Sequence, residues 1–184
     1  MIARSLLALA LTGLLPPSVA AAAPADDLQS LLLAYDHAPD RKTLEAAAPD
    51  TVPALLALRA DTERPHIVRL RAIDALSLFP TRVVRDELYR LLADPTSPMM
   101  ARHKAAMGLL HGFGDRVVPA MLPFLDDVDP ALRLTVAEGL IARGGAAGRR
   151  EVRARLAEEK VPAIAEAMRA LLAPPRALGT AAIR

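Results

Sequence analysis

Apolar residues recur along the chain in two interleaved series of short blocks. The first series consists of AIDAL at 72–76, AAMGL at 105–109, VAEGL at 136–140 and AMRAL at 167–171, with starts 33, 31 and 31 residues apart. The second consists of VPALL at 52–56, VRDEL at 84–88, VPAML at 118–122 and VRARL at 152–156, with starts 32, 34 and 34 residues apart. Two series that share one period in the low thirties indicate an internal repeat.

Each repeat is predicted to be a helical hairpin, made of a first helix (helix A), a polar turn and a second helix (helix B). Apolar residues of helix A stand at helical spacing, as in Val118, Met121, Leu122 and Leu125. The turns are DTERP at 61–65, DPTSP at 94–98, DDVDP at 126–130 and, in a weaker form, EEKVP at 158–162. Their prolines are expected where helix B begins, because the first helical turn does not need the N–H that proline lacks. Their aspartates can accept hydrogen bonds from free N–H groups there.

The blocks of helix B share a small residue followed by a leucine. The small residues are Ala75, Gly108, Gly139 and Ala170, and the leucines are Leu76, Leu109, Leu140 and Leu171. Glycine inside a helix costs about 1 kcal/mol relative to alanine, so its use here indicates a close approach between helices. One hairpin cannot bury its apolar face alone, whereas stacked hairpins share a continuous core.

Composition favours close-packed helices and excludes several kinds of chemistry. The 184 residues are 53% hydrophobic but only 3% aromatic, which suits helices better than a sheet. The 23 basic and 21 acidic residues nearly balance and show no basic cluster, so nucleic acid is not expected as a partner. The absence of cysteine excludes disulfides, thiolate chemistry and Cys-type zinc sites.

Residues 1–22 are predicted to be a secretory signal peptide. Arg4 provides a positive start, and the apolar run from Leu6 to Leu15 is too short to span a bilayer. Small residues follow in SVAAAA, and cleavage is expected after Ala22 or, alternatively, after Ala20. The protein is therefore expected in a bacterial periplasm or outside the cell, with the export signal as its only contact with a membrane.

The repeat unit resembles the HEAT repeat, in the short form found in bacterial proteins of the phycobilin-lyase-repeat kind. The resemblance rests on a turn aspartate, a proline, an arginine on helix B and the following Ala and Leu. DVDPALRLTVAEGL at 127–140 matches best, whereas KVPAIAEAMRALL in the last unit has neither the Asp nor the Arg. The resemblance covers roughly residues 51–173 and says little about activity.

The resemblance implies an all-α fold, an α-solenoid of about four HEAT-like helical hairpins with an N-terminal capping helix or hairpin. The expected segments are the signal peptide 1–22, the cap 23–50, the repeat domain 51–173 and a flexible tail 174–184. Within the repeat domain the units are expected at about 51–81, 82–115, 116–148 and 149–173.

In repeats of this kind the turn aspartate and the arginine of helix B are structural and bond along the stack. Carried over residue by residue, this Asp/Arg ladder consists of Asp61, Asp94, Asp127, Arg69, Arg102 and Arg133. Asp129 is an alternative to Asp127 that the sequence leaves open.

The exposed side of the B helices lines the inner surface in such repeats and is the expected partner surface. By register it carries nine residues, which we term the B face: Arg71, Asp74, Lys104, Met107, His111, Thr135, Glu138, Glu166 and Arg169. Leu78 and Ala142 lie in the same register. Mixed charge together with a methionine and a histidine suits a protein or peptide partner.

No group of residues indicates catalysis, a cofactor or a metal. Neither His103 nor His111 has a His or Cys four residues away. Asp74 and Glu138 are separated by the unit that carries Met107, too far for a paired-carboxylate mechanism. GGAAG at 144–148 lacks the Lys and Ser/Thr of a phosphate loop and is expected to be a linker.

The leading hypothesis is therefore an exported, non-enzymatic scaffold that binds a protein or peptide, as a monomer or a hetero-complex. The alternative is a HEAT-like lyase, a chromophore-handling protein or another enzyme-accessory protein built on the same repeats. Chromophore handling calls for a cavity rimmed with aromatic residues, and those of this chain are few and dispersed: Tyr35, Phe79, Tyr89, Phe113 and Phe124.

Overall fold

The computed structural model describes residues 24–34 and 38–173, and this part of the chain is all-α. No strand occurs among these residues, which confirms the prediction of an all-α fold class. The predicted signal peptide and tail lie outside them. No helix in the described ranges combines the length and apolar character that a membrane span requires.

The helices follow one another in pairs separated by short turns. They are α1 Pro24–Leu33, α2 Arg41–Ala47, α3 Thr51–Ala60, α4 His66–Leu76, α5 Arg82–Ala93, α6 Met99–Phe113, α7 Val118–Met121, α8 Pro130–Arg143, α9 Gly145–Leu156 and α10 Pro162–Leu172. Two 3₁₀ segments, Gly114–Val117 and Leu122–Asp126, flank α7. In the terms of the repeat, α3, α5, α7 and α9 are A helices, whereas α4, α6, α8 and α10 are B helices.

Contacts between helices repeat from one pair to the next. Helix α3 packs against α4, α5 against α6, the 3₁₀ segment after α7 against α8, and α9 against α10. Successive B helices also contact one another, α4 with α6, α6 with α8 and α8 with α10. The B helices therefore form an uninterrupted row of neighbours.

The third A helix departs from the regular helix that its apolar spacing predicts. Only Val118–Met121 is α-helical, and 3₁₀ turns replace the rest. Pro119 and Pro123 account for this, because each lacks the N–H needed for the α-helical hydrogen bond. Val118, Met121 and Leu125 are nevertheless buried, so the apolar face is retained.

The prolines stand at the starts of the B helices as the sequence predicts, whereas an aspartate caps one of these helices, α8. Pro65 and Pro98 are the residues immediately before α4 and α6, and Pro130 and Pro162 are the first residues of α8 and α10. Asp129 is the N-cap of α8, where its side chain accepts from the Ala131 N–H at 2.9 Å.

The small residues and leucines of the B helices form close contacts in the inner units. Leu76, Leu109 and Leu140 are at most 1% exposed. A Cβ at Gly139 would lie 2.3 Å from Leu110 Cδ1, on the preceding B helix, so these helices approach at the glycine. In the last unit Ala170 is exposed, because no further unit packs on it among the described residues.

Helices α1 and α2 cover the start of the repeat domain. Helix α1 contacts α2, α3 and α4, and it buries Leu28 and Leu32.

The glycine-rich stretch at 144–148 is the first turn of a helix rather than a linker. Gly144 is both the C-cap of α8 and the N-cap of α9, which begins at Gly145 with a φ of +60°. A Cβ at Gly148 would lie 2.2 Å from the backbone oxygen of Leu140, so α9 passes directly over the end of α8. Only glycine fits that position.

Gly148→Ala is expected to destabilise the fold by on the order of 2 kcal/mol, because a backbone oxygen cannot move away without displacing α8. Gly108→Ala is the matched control, since the nearest atom to its Cβ would be the flexible Leu88 methyl Cδ1 at 3.2 Å, with its other side-chain neighbours at ordinary contact distance. That contact can relax, and alanine adds helix propensity, so the control should change stability by less than about 1 kcal/mol. Urea unfolding of both variants measures the difference; equal effects would contradict the close approach.

Candidate functional site

One arginine on α6 clamps the turn of the following unit. Arg102 donates from Nη2 to Asp127 Oδ2 at 2.6 Å and from Nη1 to Oδ1 at 3.3 Å. Its Nε donates to the backbone oxygen of Leu92, at the end of α5, at 3.0 Å. The two charged side chains are only 11% and 12% exposed. Arg102 therefore joins its own A helix to the next unit, and Asp127 rather than Asp129 is its acidic partner.

A second clamp joins α8 to the last unit through a residue that the sequence analysis missed. Arg133 donates from Nε and Nη2 to the Glu159 carboxylate at 2.8 and 2.7 Å, and the Glu159 side chain is completely buried. Arg133 Nη1 also donates to the backbone oxygen of Asp127 at 2.8 Å. The last unit has therefore kept an acid, as a glutamate in place of the aspartate.

The turn carboxylates of all four units share one local hydrogen bond. Each accepts from the backbone N–H two residues further on, at 2.9 to 3.0 Å: Asp61 from Glu63, Asp94 from Thr96, Asp127 from Asp129 and Glu159 from Val161. Glu159 could have been identified from this equivalence, because it lies 26 residues after Arg133 while Asp127 lies 25 after Arg102.

The first two ladder acids do not pair with an arginine of helix B. Asp61 binds Arg64 Nε at 3.2 Å, and Arg64 continues to Asp26 on α1, so this acid faces the cap. The Asp94 carboxylate accepts from the hydroxyls of Thr96 and Ser97 instead. Of the six predicted ladder residues, the structure brings together Arg102 and Asp127 as an ion pair.

Arg69 differs from the two clamped arginines. Its Nε is buried without a hydrogen-bond partner, and its side chain forms no hydrogen bond or ion pair with a described residue. The physical reason is that Thr96 and Ser97 occupy the oxygens of Asp94, the acid that stands 25 residues after Arg69.

Several B-face residues link neighbouring B helices. Lys104 on α6 forms an ion pair with Asp74 on α4. An Arg143 Nη2 on α8 lies 3.4 Å from the Nδ1 of His111 on α6. The charges on this part of the face are therefore largely satisfied within the protein.

Thr135 is half-buried rather than freely exposed. Its Oγ1 lies 3.1 Å from His103 Nδ1, and His103 Nε2 lies 3.1 Å from Asp129 Oδ2. The exposed members of the face are Met107, Glu138, Glu166 and Arg169, together with Asp74 and His111.

Arg71 has a structural role that its register does not reveal. Its Nη1 donates to the backbone oxygens of Leu32 and Ala34, at 2.5 and 3.1 Å. These are acceptors at the end of α1 that no helical N–H satisfies. Arg71 therefore fastens the N-terminal cap to α4, and replacing it would disturb the cap as well as the face.

A cavity of about 520 Å³ opens at the N-terminal end of the B face. Leu32 and Arg41, from the cap, form one wall. The other wall consists of residues predicted to share the face: Arg71, Asp74, Leu78 and His111. The lining of the cavity therefore combines apolar and charged side chains.

The clamp carboxylates are held in their charged form. Hydrogen bonds from Arg133 lower the pKa of Glu159 to about 2, against the opposing effect of burial. Burial alone would raise the pKa of Asp127, but hydrogen bonds from Arg102 and the Asp129 N–H outweigh it and lower that pKa. Both joints are therefore ionised at neutral pH.

Neither the grouping of possible metal ligands nor the comparison with known proteins points to a further site. Within the described residues, no three His, Cys, Asp or Glu side chains group as metal ligands would. Comparisons with family models, curated proteins and solved structures find no match to the chain.

Glu159→Gln is expected to lower the free energy of unfolding at neutral pH by roughly 2 kcal/mol, because Arg133 loses its charged partner in a buried site. The folded pKa of Glu159, about 2, lies below the ordinary value of 4.5. Its stabilisation is therefore present above about pH 4.5 and is lost as the pH falls towards 2. The variant should lose less stability than wild type across that window, as measured by urea unfolding at several pH values.

Glu158→Gln is the matched control, because Glu158 is an exposed neighbour. It should keep both the neutral-pH stability and the acid dependence of wild type. An acid dependence of Glu159→Gln equal to that of wild type would contradict the clamp.

Proposed function

We propose that this protein is an exported HEAT-like scaffold that binds a polypeptide partner on its B face and performs no catalysis. The observation that carries the proposal is the cavity of about 520 Å³ that opens on that face. Four residues placed together by register, Arg71, Asp74, Leu78 and His111, line one wall of it.

The repeat organisation supports an α-solenoid of about four hairpins. The B helices α4, α6, α8 and α10 contact one another in succession, and each packs on helix A of its own unit or, for α8, on the 3₁₀ segments beside that helix. In such an array every unit touches only its neighbours, and the exposed sides of the B helices form one extended surface. Extended surfaces of this kind suit elongated partners.

The chemistry of the face favours a polypeptide over nucleic acid. The ion pair between Lys104 and Asp74 neutralises charge where a phosphate backbone would need an excess of cations. Met107 is 43% exposed beside this pair, and a methionine side chain adapts readily to apolar groups of a partner. The cavity offers an apolar side chain a place to bury next to polar groups that orient a backbone.

Export follows from the signal-peptide layout of residues 1–22, which remains a sequence-based proposal. Function in a periplasm or outside the cell agrees with a chain that has no cysteine to oxidise. The protein is proposed to act as a monomer or within a hetero-complex.

A photo-reactive amino acid placed at Met107 or Glu138 is expected to crosslink the protein to one polypeptide in the cells that produce it. The same group at Arg149 or Arg153, exposed on α9, is the control for chance encounters. Mass spectrometry of the adducts measures the outcome. Equal crosslinking from both pairs of positions, or a pigment bound to the purified protein in place of a polypeptide, would contradict the proposal.

A further inference from the structure

The joint between the first and second units contains a pocket where the other joints contain a clamp. This pocket has a volume of about 310 Å³ and lies between the turn of the first unit and that of the second. Arg69 lines it, as do Arg59 and Arg90 from the A helices. Its deeper lining is apolar and buried, formed by Leu70, Ile73 and Leu91.

Two of these arginines have unused hydrogen-bonding capacity. The Nε atoms of Arg59 and Arg69 are both buried without a partner among the described residues. A buried donor without an acceptor costs about 1–3 kcal/mol, more when the group is charged. Burial lowers the pKa of Arg59 against the opposing effect of Glu87, so its desolvation is incompletely compensated.

The charges around the pocket leave one cation in excess. Glu87 pairs with both Arg59 and Arg90, and Asp94 is the other acid present. The oxygens of Asp94 are occupied by its own turn, through the Thr96 N–H and two hydroxyls. Three guanidinium groups and two carboxylates therefore favour a ligand with a single negative charge.

The protein itself shows which anion fits an arginine at this position. Arg102 and Arg133, the equivalents of Arg69, each hold a carboxylate through two nitrogens. Arg133 uses Nε and Nη2 in this contact, and Nε is the atom left without a partner on Arg69. A planar guanidinium matches a carboxylate in two parallel hydrogen bonds.

We propose that this pocket binds a carboxylate from a partner, supplied by an acidic side chain of a polypeptide that completes the clamp Arg69 lacks. The volume supports a side chain rather than a free ion, because about 310 Å³ is roughly ten times the share of one water molecule. The apolar lining can contact the methylene groups of a glutamate. Phosphate fits less well, because a dianion would lie beside Asp94.

The pocket shares no residue with the B face, so carboxylate binding here is independent of the proposed function. A negative crosslinking result would not argue against the carboxylate site, and a failure of carboxylate binding would not argue against partner binding on the B face. A partner that uses both would contact the B helices along their exposed sides and the first joint at their N-terminal ends.

Nuclear magnetic resonance of the ¹⁵N-labelled protein tests the proposal through the arginine Nε–Hε signals, with the Arg69 signal assigned by its loss in Arg69→Met. The probe is N-acetylglutamate methylamide, and the control is N-acetylglutamine methylamide, which has the same shape without the charge. We expect the Arg69 signal to shift saturably with a Kd in the millimolar range, about −4 kcal/mol. The Arg102 signal should not move, because Asp127 already occupies that arginine.

Acetate and inorganic phosphate form the other arms of the titration. Weaker saturation by acetate than by the glutamate probe supports a side-chain ligand, whereas equal saturation would overturn the proposal in favour of a small free carboxylate. Stronger saturation by phosphate, equal shifts with the glutamine probe, or no shift of Arg69 with any carboxylate would overturn the proposal. Arg69→Lys preserves the charge but not the paired donors, and it should weaken binding of the glutamate probe at least tenfold.

Discussion

The buried contact between an arginine of one unit and a carboxylate of the next is the interaction on which the arrangement of the units depends. Apolar faces attract each other without fixing how far one helix slides past the next. Arg102 removes that freedom, since it binds the end of its own A helix at Leu92 and the next turn at Asp127. A buried ion pair of this kind fixes register more than it adds net stability.

The clamp and the packing of the B helices support each other. At Gly139 the preceding Leu110 occupies the space that a Cβ would need, so α6 and α8 lie close together. Arg133, six residues earlier on α8, binds Glu159 in the turn of the last unit. One B helix therefore contacts the preceding unit through its small residue and the following unit through its arginine.

Most of the fold could be predicted from the sequence, because period and proline position act locally. The apolar blocks place the helices, and the turn prolines begin the B helices. The apolar spacing predicts a regular third A helix, whereas the prolines at 119 and 123 replace most of it with 3₁₀ turns. The glycine-rich stretch at 144–148 reads as a linker in the sequence, because the contact of Gly148 with Leu140 involves a backbone atom that no side-chain pattern reveals.

The candidate site was less predictable, because it depends on competition between partners. Asp94 has the same spacing as Asp127, yet its neighbours Thr96 and Ser97 offer closer hydroxyl donors than Arg69 does. Arg71 was placed on the B face by register, whereas its guanidinium turns to the end of α1. Helical register fixes the direction of a Cα–Cβ bond but not the endpoint of a long side chain.

Double-mutant cycles on two equivalent pairs test the central claim most directly. The free energy of unfolding is measured for Arg102→Met, Asp127→Asn and their combination, and likewise for Arg69→Met, Asp94→Asn and theirs. The account predicts a coupling of about 1.5 kcal/mol or more between Arg102 and Asp127, and less than about 0.5 kcal/mol between Arg69 and Asp94. No coupling in the first pair, or equal coupling in both, would contradict it.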